Sequence, residues 1–164
     1  MAHVEVPALV RRRALDLGEA GEAWLKGLDG TVTELIAKWD LEVGQVMHGG
    51  ANGCVAEVRM PDGRPAVLKV AVPDPRVGTL EADILLAAAG RGYARLYRHS
   101  PRHRAMVVER LGRQLWEEQW PQDQQMQVYC AAVREAWKVE IDPEGLTDGR
   151  GKAAWLEAFI PRAW

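Results

Sequence analysis

The sequence predicts an α+β fold: an antiparallel five-stranded sheet with one packed helix, preceded by helices and followed by more of them. Three observations carry that expectation. Apolar residues switch from helical spacing to alternation at residue 41. A Pro-Asp-Gly turn at 61–63 joins an alternating run to a second strand-like run. Strand character then disappears after Leu111. Three segments follow: a helical one over 1–40, a sheet-bearing one over 41–111, and a third over 112–164 that opens a helical region.

Residues 1–40 repeat apolar positions at Leu9, Val10, Leu15 and Leu17, and again at Val32, Leu35, Ile36 and Trp39. Gly27 and Gly30 are expected to divide this segment into two or three short helices. The strands follow as LEVGQVM at 41–47, CVAEVRM at 54–60 and RPAVLKVAV at 64–72. In the turn between the last two, proline presets φ and glycine tolerates positive φ. PDPRVGTLEADILLAAAG at 73–90 reads as a helix, with Pro75 in its first turn and Asp74 as its N-cap. Leu80, Ile84, Leu85 and Ala88 would form its buried face, and Gly90 and Gly92 would end it. ARLYRH and AMVVERL add two strands around the polar SPRHR. QQMQVYCAAVREAW at 124–137 is helical, DPEGLTDGRG is a loop, and KAAWLEAFIPRAW begins a further helix.

That last segment presents Trp155, Leu156, Phe159, Ile160 and Trp164, more apolar surface than a short helix buries by itself. It either docks on the helix near 124–138 or belongs to a larger helical lobe that the sequence does not include. The second reading is preferred here, and self-association through the same surface is a further expectation.

Composition narrows the function classes. Of 164 residues, 48% are apolar and 27% charged, with a net charge of −2, which is ordinary for a soluble globular protein and offers no polyanion-binding surface. Nucleic acid is therefore not an expected partner. The one dense basic run, Arg11–Arg13, lies in a helical pattern and reads as a solvated face. No apolar stretch approaches the roughly 20 residues that span a bilayer, and no secretory design opens the chain. Cys54 and Cys130 are far apart, which fits a reducing cytoplasm. The histidines are dispersed, without metal-ligand spacing, so no metal site is expected.

The chemistry concentrates around AVLKV at 66–70, where Lys69 interrupts a run of small and branched apolar residues. With a period of two, Val67 and Lys69 share one face and Ala66, Leu68 and Val70 the other. Such a lysine either snorkels or meets an anion. One strand earlier lies HGGANG at 48–53; its glycines allow close backbone approach, and free N–H groups there can receive phosphate oxygens. It lacks the GK[ST] of a Walker loop. Twelve residues after Lys69 stands Glu81, a carboxylate on an apolar helical face with Val77, Ile84, Leu85 and Ala88. Such a carboxylate needs a partner, and Lys69 is the candidate; Asp83 competes, and Glu81 is preferred for its reach. MVVERLG at 106–112 runs from a buried strand into a link whose backbone N–H and C=O groups suit a purine edge.

This order of Gly-rich hairpin, strand lysine, helix glutamate, two strands and a link resembles the small ATP-binding lobe of the protein-kinase-like fold. From about residue 22 onward, DGRPAVLKVAVP, GTLEADILLAAAGRG, YARLYRH, MVVERL and KAAWLEAFIPRAW look more closely like the aminoglycoside phosphotransferases of the streptomycin 6-kinase and hydroxyurea-resistance group. The resemblance implies an ATP-dependent kinase that inactivates an antibiotic by phosphorylating a hydroxyl, with Mg2+ in the complete enzyme. It implies that Lys69 holds the α- and β-phosphates and Glu81 orients it. Gly49, Gly50, Ala51, Asn52 and Gly53 would cover the phosphates. Val55 and Val67 would line the adenine pocket with Val108 behind it, and Glu109 and Leu111 would offer backbone groups to the base.

The sequence also departs from the family pattern. No H-x-D-x-x-x-x-N segment occurs, and no later DFG-like aspartate. The resemblance therefore supplies no catalytic residue in this chain, which is expected to be inactive alone: the nucleotide-binding portion of such an enzyme. The competing expectation is a stand-alone nucleotide-binding or protein-interaction module.

Overall fold

Two helices occupy the first forty residues of the computed structural model, which describes residues 4–74, 80–141 and 149–163, with side chains up to residue 160 in the last stretch. Helix α1 spans Ala8–Leu15 and α2 spans Glu19–Trp39. The break falls at Gly18, where φ is +63°, and not at Gly27 or Gly30, which lie inside α2. Each internal glycine costs about 1 kcal/mol of helix propensity. That cost is offset because Leu28, Val32 and Leu35, at i, i+4 and i+7, bury one continuous stripe. Gly21 has a different use. A Cβ there would sit 1.7 Å from the Ala14 carbonyl oxygen, so α1 and α2 cross at a distance only glycine permits.

The sheet follows as β1 (Glu42–Met47), β2 (Gly53–Arg59), β3 (Pro65–Ala71), β4 (Leu96–Ser100) and β5 (Ala105–Glu109). Its order is β1-β2-β3-β5-β4 with every neighbouring pair antiparallel. The turn at 61–63 behaves as its residues require: Gly63 has φ +83°, and its N–H donates to the Met60 carbonyl at 2.8 Å. Both outer strands are irregular. The register of β1 shifts between Val43 and Val46, and that of β4 between Leu96 and Arg98.

Helix α3 is described over Leu80–Ala88. The sequence expectations for Pro75 and Val77, and with them the N-cap assigned to Asp74, involve residues outside the described ones, as do Trp164 and residues 142–148 of the expected loop. The buried stripe of α3 is Ala82, Leu85 and Ala88, while Leu86 is exposed.

Alternation along the strands sorts the core into two layers. On one face Cys54, Val58, Ala66, Leu68, Val70, Ala105 and Val107 pack under Leu28, Val32 and Leu35 of α2. On the other, Met106 packs with Ala82 and Leu85 of α3, flanked by Leu96 and Val108. Helix α1 adds a small cluster in which Val10 and Ala14 enclose Val72 just beyond β3. The turn between β4 and β5 is tied to α2: His103 Nδ1 lies 2.8 Å from Ser100 Oγ, and its Nε2 lies 3.3 Å from a Glu34 oxygen.

Beyond β5 come a short 3-10 turn at Leu115–Glu118, helix α4 (Gln122–Ala136) and helix α5 (Gly149–Ala163). None of the residues of α4 is buried. On α5, Trp155 stacks on Phe159 at 5.0 Å, yet both stay about half exposed, as do Leu156 and Ile160. Among the described residues, α5 and the helix at 124–138 thus share no buried core. Among the described residues no helix is long and apolar enough to cross a membrane.

Two outcomes check this layering. Leu68→Ala, at a position only 2% exposed, should lower the unfolding free energy in urea by about 2–5 kcal/mol. Burial pushes the Cys54 thiol pKa up, whereas Cys130 is exposed. A thiol reagent should therefore modify Cys130 in the folded chain and Cys54 only as the chain unfolds; rapid modification of both would contradict the arrangement of β2 under α2.

Candidate functional site

Strand β3 is central, with β2 on one edge and β5 on the other. Ala66, Leu68 and Val70 are 1–2% exposed on its α2 side. Lys69 points the other way, into the row formed by Val55 of β2 and Met106 of β5, its direct cross-strand partners. The next row on that face is Glu57, Val67 and Val108. Helix α3 covers the Met106 end of this face, while Val55 and Met47, paired across β1 and β2, stay partly exposed beside it.

Glu81, on the first described turn of α3, answers the lysine. Lys69 Nζ donates to Glu81 Oε1 at 2.7 Å and to Oε2 at 2.6 Å. Asp83, the alternative partner, is exposed instead. The Lys69 side chain keeps 23% of its surface open and Glu81 42%. A pair this accessible contributes about 1 kcal/mol or less to stability. Its main physical consequence is positional: the ammonium is fixed in a partly open cleft with one of its three donor directions not committed to Glu81.

The Gly-rich turn sits at the same end of the sheet. His48–Asn52 connect β1 to β2, with Gly49 at φ +116°. Gly49 and Gly50 face open space, and Ala51 and Asn52 complete the turn. Gly53 is not part of the turn but the first residue of β2, paired with Ala71. A Cβ there would lie 2.7 Å from the Val70 carbonyl oxygen, so its glycine is explained by the packing of β2 on β3. Two rungs, about 7 Å of strand, separate Gly53–Ala71 from Val55–Lys69, so the turn enters β2 two residues before the cross-strand partner of Lys69.

At the other end of the row, Glu109 pairs with Ala66, and its own N–H and carboxylate serve Arg95, at 2.8 and 3.0 Å. Leu111 is exposed, and its carbonyl accepts a hydrogen bond from Arg110 Nη1 at 2.7 Å. Sequence reasoning missed the ion pair here. Arg110 Nη2 lies 2.8 Å from Glu57 Oε1, so a charged bridge spans from the end of β5 to β2 beside Val67. The alternation that assigns Val55 and Val108 to one face assigns Glu57 and Arg110 to it as well, and that signal was available.

No family model matches the chain. Individual proteins do. It is 35% identical over 109 residues to streptomycin 6-kinase of Streptomyces glaucescens, covering 66% of this chain and 35% of that protein. It is 34% identical over 111 residues to streptomycin 6-kinase of Streptomyces griseus, covering 66% and 36%. Over 167 aligned positions it is 36% identical to hydroxyurea phosphotransferase of Kitasatospora aureofaciens, covering 99% of this chain and 48% of that protein. The chain is homologous to these three proteins. It spans about half, or less, of the length of these curated relatives. The homology agrees with the aminoglycoside phosphotransferase-like resemblance carried by the sequence motifs.

The two glycine environments make a check on the local geometry. Gly53→Ala should destabilise by about 1–3 kcal/mol because backbone, not a flexible side chain, occupies the space. Gly50→Ala should leave the unfolding midpoint nearly unchanged, since nothing lies within 4 Å of its Cβ position. Equal effects in thermal melts would contradict the placement of the two residues.

Proposed function

We propose that the face carrying Lys69 and Glu81 holds the phosphates of ATP, and that the chain is the nucleotide-binding part of a phosphotransferase acting on a hydroxyl of an aminoglycoside, as streptomycin 6-kinase is named for. The observation that carries this reading is the two-oxygen clasp of Glu81 on Lys69 beside the open Gly49–Asn52 turn. A preset ammonium and exposed backbone N–H groups form a phosphate-receiving surface without reorganisation. The strand order, with α3 inserted between β3 and β4, supports a protein-kinase-like small lobe. In that reading Val55 and Val67 form the apolar roof over the adenine with Val108 behind, and backbone groups at Glu109 and Leu111 meet the purine edge. The Leu111 carbonyl is engaged by Arg110, so of the two positions Glu109 is the better placed to accept from the base.

No residue of this chain is assigned as a magnesium ligand, an ion that nucleotide sites hold with one or two carboxylates and the phosphates themselves. Among the described residues no cluster of three or more His, Cys, Asp or Glu side chains could hold a metal ion. The sequence also lacks the H-x-D-x-x-x-x-N segment. No step through a metal is derived, and no side chain in this chain is assigned as base for the acceptor hydroxyl. The chain by itself is accordingly proposed to bind nucleotide without transferring the phosphoryl group. The half-exposed apolar residues of α5 support a second reading, an interaction module that self-associates through Trp155 and Phe159.

Titration calorimetry with ATP tests the first reading. Lys69→Ala should weaken binding by about 1.5–3 kcal/mol, roughly ten- to hundredfold in Kd. An unchanged Kd would reduce Lys69 to a structural lysine. Incubation of the chain with ATP, Mg2+ and streptomycin should yield no phosphorylated product by mass spectrometry; turnover would overturn the proposed inactivity. Sedimentation equilibrium addresses the second reading, for which the mass should rise with concentration and fall back in Trp155→Ala.

A further inference from the structure

Among the described residues, the one fully buried carboxylate lies outside the site just described. Asp74, three residues beyond β3, is 0% exposed. A carboxylate in that position requires charge and hydrogen-bond partners. It receives them from two distant parts of the chain. The Arg13 guanidinium of α1 pairs with its carboxylate. Arg104, in the turn between β4 and β5, donates from its guanidinium to the Asp74 carbonyl at 2.7 Å.

Further hydrogen bonds converge on the same short segment. The Ala71 N–H donates to the Arg104 carbonyl at 2.9 Å, and the Val72 N–H donates to the Asn52 carbonyl at 3.1 Å. Val72 is itself enclosed by Val10 and Ala14 of α1. Residues 71–74 are thus held by α1, by the base of the Gly-rich turn and by the β4–β5 turn together. They lie between the two members of the clasp: Lys69 precedes them on β3, and α3 with Glu81 follows them in sequence.

Arg104 supplies a second, independent observation. Its φ is +49° and its ψ +40°, a conformation that glycine or asparagine adopts at lower cost than arginine. A long cationic side chain at a left-handed position is consistent with a requirement for what that side chain reaches, and it reaches Asp74.

We propose that Arg13, Asp74 and Arg104 form a brace that sets where the chain leaves β3, and so positions α3 with Glu81 against Lys69. These three are positioning residues: none touches the Lys69–Glu81 pair. The relevance of the brace to nucleotide binding rests on the function proposed above, whereas its effect on the clasp does not.

The test reads the clasp directly. Limited acetylation of lysines in the folded chain, followed by peptide mass spectrometry, reports how well Glu81 protects Lys69, with the exposed Lys26 and Lys38 of α2 as internal references. Glu81→Gln sets the ceiling of Lys69 labelling. Arg13→Ala and Arg104→Gly should each raise Lys69 labelling several-fold towards that ceiling while leaving Lys26 and Lys38 unchanged, and Arg13→Lys should return it close to the wild-type level. Arg104→Gly decides the matter if Arg13→Ala does not fold, because glycine relieves the positive φ while removing the side chain. Lys69 labelling that stays at the wild-type level in folded Arg104→Gly overturns the brace. So does a further rise when Arg104→Gly is added to Glu81→Gln, since that would mark general loosening of the sheet. ATP titration of the same proteins separates the two proposals. A wild-type chain that binds no ATP, alongside the expected labelling, supports the brace and overturns only the nucleotide reading.

Discussion

Strand β3 is hydrogen-bonded along both edges and flanked by helices on both faces, α2 on one side and α3 on the other. A charge in such a strand, largely covered as Lys69 is, has only part of its hydration left and is met from a neighbouring element. That constraint organises the centre of the molecule. It explains why α3 brings a glutamate to the Lys69 face. It also explains why the α2 side of the same strand is restricted to Ala66, Leu68 and Val70, with no polar atom beyond the backbone.

The part of this arrangement that follows from local periodicity is readable from the amino acids. Alternation in AVLKV separates Lys69 from its neighbours, and turn chemistry at 61–63 fixes which strands are adjacent. Twelve residues of crossover between Lys69 and Glu81 leave room for a helix to return over the sheet. The strands were legible for a similar reason: β1 and β2 carry a period-two signal, β3 and β5 are short apolar runs rich in valine, and β2 and β3 are joined by a turn whose residues permit little else.

What was not legible depends on approach between distant segments. Nothing in the local sequence around Gly27 and Gly30 shows that a helix will run through them, because the compensating burial comes from strands that begin more than ten residues later. Gly53 reads as loop material in the sequence, but its environment is the backbone of β3. Arg13 reads as a solvated charge within a basic run, yet it is the partner of the buried Asp74. In each case the residue's role is set by an element remote in sequence, and composition within a window carries no trace of it.

The irregular outer strands have a consequence for how this molecule meets others. An open sheet edge offers a ladder of backbone donors and acceptors to any passing strand. Here the offer is interrupted at both ends of the sheet, by the offset between Val43 and Val46 on β1 and by that between Leu96 and Arg98 on β4. A strand that tried to extend the sheet on either side would lose alignment after a few residues. Association by strand addition is thereby disfavoured at both edges of the sheet.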